Sequence, residues 1–153
     1  MKQKAALLFY KFLLLTCLAS AQPTNVNGLP EFSRPELFNN FPAKMKMYSG
    51  AVADIFNYAP GFVIHAQLTD HLFLNGTVLS SSVHANGTIK TMLVQSETMK
   101  GTTFYISRQL KKDGTVVYRG RMINKNSSDA LEMVYESGQY FLKKTQFYRI
   151  VGD

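Results

Sequence analysis

GTTFYISRQLKKDGTVVYRGRMIN, residues 101–124, holds two runs of alternating side chains on either side of Lys112-Asp113-Gly114-Thr115. In the first run Phe104, Ile106 and Leu110 fall on one side, with Arg108 among them; in the second Val116, Tyr118 and Met122 share a side. A period of two places alternate residues on opposite faces of a strand. Asp-Gly accepts the positive φ angles of a tight hairpin turn. Residues 101–110 and 115–124 are therefore predicted to form one antiparallel hairpin.

The same grammar extends in both directions. Ala85-Asn86-Gly87-Thr88 is an equally strong hairpin signal and Ser137-Gly138 a weaker one. They divide the chain into predicted strands at 62–69, 71–83, 88–97, 101–110, 115–124, 130–136 and 139–150, with an eighth near 43–48. Turn signals at short regular spacing, with no long helix between them, indicate a mainly β fold: an antiparallel meander closing into a barrel of about eight strands. Closure removes the unpaired edges that long strands otherwise expose. The last strand carries aromatics on both faces, Tyr140 and Tyr148 against Phe141 and Phe147. It is predicted to be covered on both sides.

Upstream the pattern changes. Residues 22–43 contain Pro23, Pro30, Pro35 and Pro42 and read as a proline-rich lead-in segment before a single β-rich domain at 44–153. Within it Ser33-Arg34-Pro35-Glu36 has capping-box spacing, which predicts one helical turn carrying Leu37, Phe38 and Phe41 onto the body. Residues 49–61 fit a short helix with Val52, Ile55 and Phe56 on one face, stopped by Pro60-Gly61, although they could also extend a strand. If that helix packs on a curved sheet of four to six strands, the fold is α+β, similar to cystatin-like proteins.

Residues 1–21 have the three parts of a cleavable signal peptide. Lys2, Lys4 and Lys11 make a basic start, Phe12–Leu18 an apolar run, and Ala19-Ser20-Ala21 a small-residue cleavage site. Spanning a bilayer takes about 20 consecutive apolar residues, and Lys11 interrupts this run. The predicted location is therefore secreted and extracellular, without a transmembrane anchor. Cleavage after Ala21 leaves 132 of the 153 residues and removes Cys17, the single cysteine. The mature chain is then disulfide-free and has no thiol for catalysis. The formal charge of +7 falls to +4 with the three lysines of the signal, too modest to point to nucleic acid. Eleven Phe and eight Tyr supply bulk for a core of this size.

Three sequons predict a glycoprotein: Asn75-Gly76-Thr77, Asn86-Gly87-Thr88 and Asn126-Ser127-Ser128. Asn86 falls on a predicted hairpin tip and Asn126 between strands, where a glycan stays in water. Lys100, Arg108, Lys111, Lys112, Arg119, Arg121 and Lys125 face Asp113 alone between residues 100 and 125. Because the two strands adjoin, these charges are predicted to cluster, which suits an acidic protein partner or a polyanion. A solvated face with lysines guarding the hairpin tip is the simpler account. His65 and His71 would lie roughly 20 Å apart along a straight strand, too far to share a metal. Asp70-His71 is explained by turn polarity. No Gly-x-Ser-x-Gly signature is present, so neither an enzyme, a cofactor nor a metal is predicted.

A signal peptide, a short lead-in helix and about eight meandering strands resemble the plan of secreted lipocalin-type barrels. The chain departs from that plan in having no Trp near the first strand and no cysteine pair. The resemblance implies a carrier of a small apolar ligand, with Arg108 or Arg121 as the partner of an acidic head. The residues themselves leave open an interaction protein that binds through the basic hairpin at Arg108, Lys111, Lys112, Arg119 and Arg121. The oligomeric state is not legible.

Overall fold

The computed structural model describes residues 34–151. Residues 1–33, which include the predicted signal peptide, Cys17 and Ser33 of the predicted capping box, lie outside the described residues. Eight strands run in chain order: β1 (Lys44–Lys46), β2 (Val63–Thr69), β3 (Leu72–His84), β4 (Ile89–Ser96), β5 (Thr102–Leu110), β6 (Val116–Asn124), β7 (Asp129–Glu136) and β8 (Gln139–Gln146). A helix α1 (Ser49–Ile55) separates β1 from β2, and a short helix α2 (Phe147–Val151) follows β8.

All neighbours are antiparallel, in the order β1-β8-β7-β6-β5-β4-β3-β2. Consecutive strands from β2 to β8 pair with their successors, which is the expected meander. The turn chemistry places the reversals. Asn86 sits at φ 53° and Gly87 at φ 88° between β3 and β4, and Gly114 at φ 81° and Gly138 at φ 80° turn the later hairpins. These are left-handed conformations that Gly and Asn adopt most readily.

The sheet curls into a half-barrel. Its edge strands β1 and β2 form no ladder with each other, but Tyr48 N–H, just beyond β1, donates to Leu68 C=O in β2 at 2.9 Å. The concave face holds the core. Ile64, Leu68, Leu74, Met92, Val94, Phe104, Ile106, Met122, Leu131 and Leu142 are all buried there with Val52 and Ile55 of α1 and Phe56 just past it. Of the weak helical pattern at 49–61, Ser49–Ile55 is a helix, and its apolar residues Val52 and Ile55 join the core of the concave face.

Two glycines fit the strands together. A Cβ on Gly76 would stand 2.4 Å from Gln95 O, and one on Gly120 would meet Tyr105 O at 3.0 Å and the Phe104 ring at 3.2 Å. Side chains at either place would push adjacent strands apart.

Two local expectations are corrected, and β3 shows one irregularity that the sequence did not predict. Residues 37–41 form bends and a turn, closed by Phe41 N–H to Phe38 C=O at 3.0 Å, with no helix assigned. The amides at 37 and 38 instead donate to Ser127 and Asp129 of the body. The last strand ends at Gln146, and Phe147–Val151 turns into α2 with Ile150 buried. Phe147 and Tyr148 thus belong to α2, while Tyr140 and Phe141 lie on opposite faces of β8, both half-buried. Strand β3 carries a register shift between Val78 and Ser80, a β-bulge that reverses which residues face inward beyond it.

Candidate functional site

The mouth of the half-barrel is built where the two longest hairpins run past α1. Cross-strand registers set Val83 beside Lys90, Lys90 beside Arg108, and Arg108 beside Tyr118. These four side chains form one row on the concave face, since Lys90 has the parity of buried Met92 and Arg108 that of buried Ile106. One row deeper, Met92, Ile106 and Gly120 close the interior. One row further out, Leu110 pairs with Val116 at the rim. Val83, Leu110 and Val116 face inward yet are 61 %, 42 % and 38 % exposed, because nothing in the described chain covers them.

The polar members of the row differ in their partners. Lys90 Nζ donates to Phe56 C=O, just past α1, at 2.6 Å. Arg108 is half-buried, and no described residue forms a hydrogen bond or an ion pair with it. Tyr118 packs edge-on against Tyr140 with ring centroids 5.7 Å apart and against Phe56 at 5.9 Å. Burial holds the Tyr118 phenol above its ordinary pKa, an effect the nearby Arg108 charge partly offsets.

The predicted basic cluster is not one site. Arg108 points into the mouth. Arg119 and Arg121 have the opposite parity and lie on the convex face. Exposed Lys111 and Lys112 sit at the β5–β6 tip. Arg121 Nη1 donates to Ile150 C=O of α2 at 2.5 Å and stands opposite Glu132 across the ladder. The signal for this division was in the sequence. With the turn at Asp113-Gly114, residues 108 and 118 oppose each other and 119 and 121 fall on the other face. Lys90 went unnoticed because its role depends on the β3–β4–β5 register.

The convex face carries an open groove of about 1180 Å³ lined by Tyr105, Arg119, Arg121, Tyr135, Arg149 and Ile150, among others. It lies over a split in the sheet. β6 and β7 pair only over Arg121–Ile123 and Ala130–Glu132. Beyond Gly120 the ladder between them ends, and Tyr118 N–H donates across to the Tyr140 hydroxyl at 3.0 Å. A second hollow of about 410 Å³ opens beside the same split, bordered by Val117, Tyr135 and Tyr140.

The sequons occupy three different settings. Asn86 is exposed at the β3–β4 tip, and Asn126 is exposed in the β6–β7 connection. Asn75 lies inside β3 opposite His65, half-buried, and its Oδ1 is buried without a hydrogen-bond partner. Gly76 in that sequon is needed for the close approach of β4. His65 is exposed on β2 and His71 turns the β2–β3 hairpin, where its N–H meets Thr69 Oγ1 at 3.2 Å. Among the described residues no group of three His, Cys, Asp or Glu side chains gathers to hold a metal, and no helix is long and apolar enough to cross a membrane.

No family model, curated protein or solved structure matches this chain.

Proposed function

We propose that this protein is a secreted, non-enzymatic binding glycoprotein that carries a small apolar ligand at the mouth of its half-barrel. The observation that carries this reading is the rim. Val83, Leu110 and Val116 project into the concavity yet remain exposed, while Met92 and Ile106, one row deeper on the same face, are buried. Exposed apolar side chains gathered in a concave site are the usual mark of a ligand surface. The packed row of Met92 and Ile106 limits the ligand to the mouth, in contrast to a barrel with an empty interior. The basic start, apolar run and Ala19-Ser20-Ala21 of residues 1–21 support secretion, and exposed Asn86 and Asn126 are suited to carry glycans.

Native mass spectrometry of the secreted protein tests the carrier reading. A co-purifying small organic mass, displaced when Leu110 or Val116 is changed to Asp, supports it. A clean apo mass together with no binding of a fluorescent apolar probe removes it.

A second reading is favoured by the convex groove. Arg119, Arg121 and Arg149 line it against Glu132, beside Tyr105 and Tyr135, which suits a polyanion or an acidic protein surface. Salt-dependent retention on heparin that falls when Arg119 and Arg149 are changed to Ala would favour it. Retention no better than that of a neutral protein would remove it.

A further inference from the structure

We infer that the ligand of the mouth is an amphipathic organic anion, its acidic head turned inward onto Arg108 and its apolar body resting on Val83, Leu110 and Val116. This rests on the carrier reading and adds the chemical class and orientation of the ligand.

Two cations stand side by side on the concave face, Lys90 and Arg108, at directly paired positions of adjacent strands. Like charges at such positions destabilise a sheet, and partial burial increases the cost because solvent screens them less. The described chain supplies one acceptor for the pair, Phe56 C=O, and Lys90 takes it. The described ion pairs lie elsewhere, at Glu136 with Lys44 and Lys143. Arg108 thus keeps its fork of donors unfilled in a half-buried place. A guanidinium in that state matches a carboxylate, which can accept two parallel hydrogen bonds from it.

The rows then fix the orientation. Arg108 lies one inward-facing position deeper than the Leu110–Val116 pair, a step of about 7 Å along the strand. Below it Met92 and Ile106 are buried and present an apolar floor to a charged group. A head group therefore stops at the Arg108 row, and the rest of the ligand extends outward over the apolar rim. A ligand with a polar outer end and an apolar inner end would meet the wrong group at each level.

Decanoate and 1-decanol, equal in chain length and different in charge, separate the inference from the reading beneath it. On the wild-type protein at neutral pH, titration calorimetry is expected to show decanoate bound at least about tenfold more tightly than decanol, the usual scale of a charge-assisted bond. Arg108→Gln should bring decanoate down to about the level of decanol, whose own binding falls far less, and an unchanged circular dichroism spectrum and unfolding midpoint show that the variant is folded. Arg108→Lys should recover part of the loss. Equal binding of acid and alcohol to the wild type overturns the anionic class while the apolar carrier stands. Tighter binding of the acid that survives Arg108→Gln overturns the head-inward orientation. Binding of neither overturns the carrier reading and the inference together.

Discussion

The carboxylate of Asp129 caps the backbone of Phe38, 91 residues away: its Oδ2 accepts from Phe38 N–H at 2.9 Å, and Oδ1 accepts from Leu37 N–H at 2.8 Å. Ser127 completes the latch. Its hydroxyl donates to Asp129 and lies 3.0 Å from both Leu37 N and Pro35 O. Phe38 is fully buried in the core, so the latch and the side chain hold the lead-in segment together. Asp129→Ala leaves two amides without their acceptor and is expected to cost about 2–4 kcal/mol, the range for losing charge-assisted bonds at a buried site. Phe38→Ala is expected to cost about 3–5 kcal/mol through the cavity it leaves. The double variant should fall short of the sum, since either change frees the same segment. Denaturant unfolding checks the three values, and limited proteolysis should cut near residue 40 in both single variants.

Gly76 and Gly50 should respond to alanine in opposite directions. At Gly76 the new methyl would lie 2.4 Å from Gln95 O and 3.1 Å from Val94 Cγ1, inside a strand pair that cannot open cheaply. Overpacking of this kind costs about 1–3 kcal/mol, and more where backbone must move. Gly50 lies in α1 with nothing within 4 Å of the added carbon. Gly50→Ala should stabilise by about 0.5–1 kcal/mol, the helix propensity difference. Equal effects in unfolding experiments would mean that the β3–β4 approach at Gly76 is looser than described.

The hairpins were legible because they depend on local chemistry. Asn86-Gly87, Asp113-Gly114 and Ser137-Gly138 mark the turns where they are found, and period-two alternation located the strand ends to within a residue or two, except that of β8, which stops at Gln146. What escaped the sequence depends on residues far apart in the chain. The Ser33–Glu36 capping pattern pointed to a local helical turn, whereas the amides that follow it, Leu37 and Phe38, are held by Ser127 and Asp129 far along the chain. The bulge at Val78–Ser80 decides that Val83 faces the mouth, and no residue type announces it. Arg108 was recognised as a head-group partner, but Lys90 beside it emerges only once three strands are in register. Arg119 and Arg121 could have been separated from Arg108 by parity alone, and charge proximity along the chain obscured this.

Glu136 provides a test by pH. Hydrogen bonds from Lys44 and Lys143 hold its carboxyl below the ordinary value of 4.5, and the three residues tie β1 and β8 to the end of β7. Because the folded value is depressed, the stabilisation is fully present above about pH 4.5 and is lost as pH falls through the folded value. All three side chains are well exposed, so the effect is small and screened by salt. Glu136→Gln should lower the melting temperature by about one or two degrees at neutral pH and low salt. The difference should shrink as pH falls through the depressed folded value and vanish once Glu136 is protonated, where both proteins carry a neutral side chain. A difference that persists there would point to packing rather than charge.

Glycan number follows from the setting of each sequon. Asn86 and Asn126 stand exposed on connections, whereas Asn75 has its amide oxygen buried within β3. Under the proposed reading as an exported glycoprotein, the chain is expected to lose two glycan masses on treatment with an N-glycan-removing amidase. Asn86→Gln and Asn126→Gln should each remove one, and Asn75→Gln none. Intact-mass measurement reads this directly, and an untreated protein of the bare polypeptide mass would refute it. Asn86→Gln should also cost up to about 1 kcal/mol, since the left-handed φ of 53° suits Asn better than Gln.

The split between β6 and β7 rests on one side chain. Past Gly120 the two strands no longer pair, and the Tyr140 hydroxyl stands where a backbone carbonyl would otherwise accept the Tyr118 N–H. Tyr140→Phe keeps the ring that packs against Tyr118 and Tyr135 and removes only the acceptor. The expected loss is about 0.5–1.5 kcal/mol, the net value of one hydrogen bond. Amide exchange discriminates better than stability. The Tyr118 amide should exchange much faster in the variant, while Phe104 and Ile106 in the intact β4–β5 ladder remain protected. If β6 and β7 were joined there by their backbones, exchange at Tyr118 would be unaffected by the loss of the hydroxyl. A faster Tyr118 amide would thus locate the break in the sheet at Tyr118 and identify Tyr140 as the group that spans it.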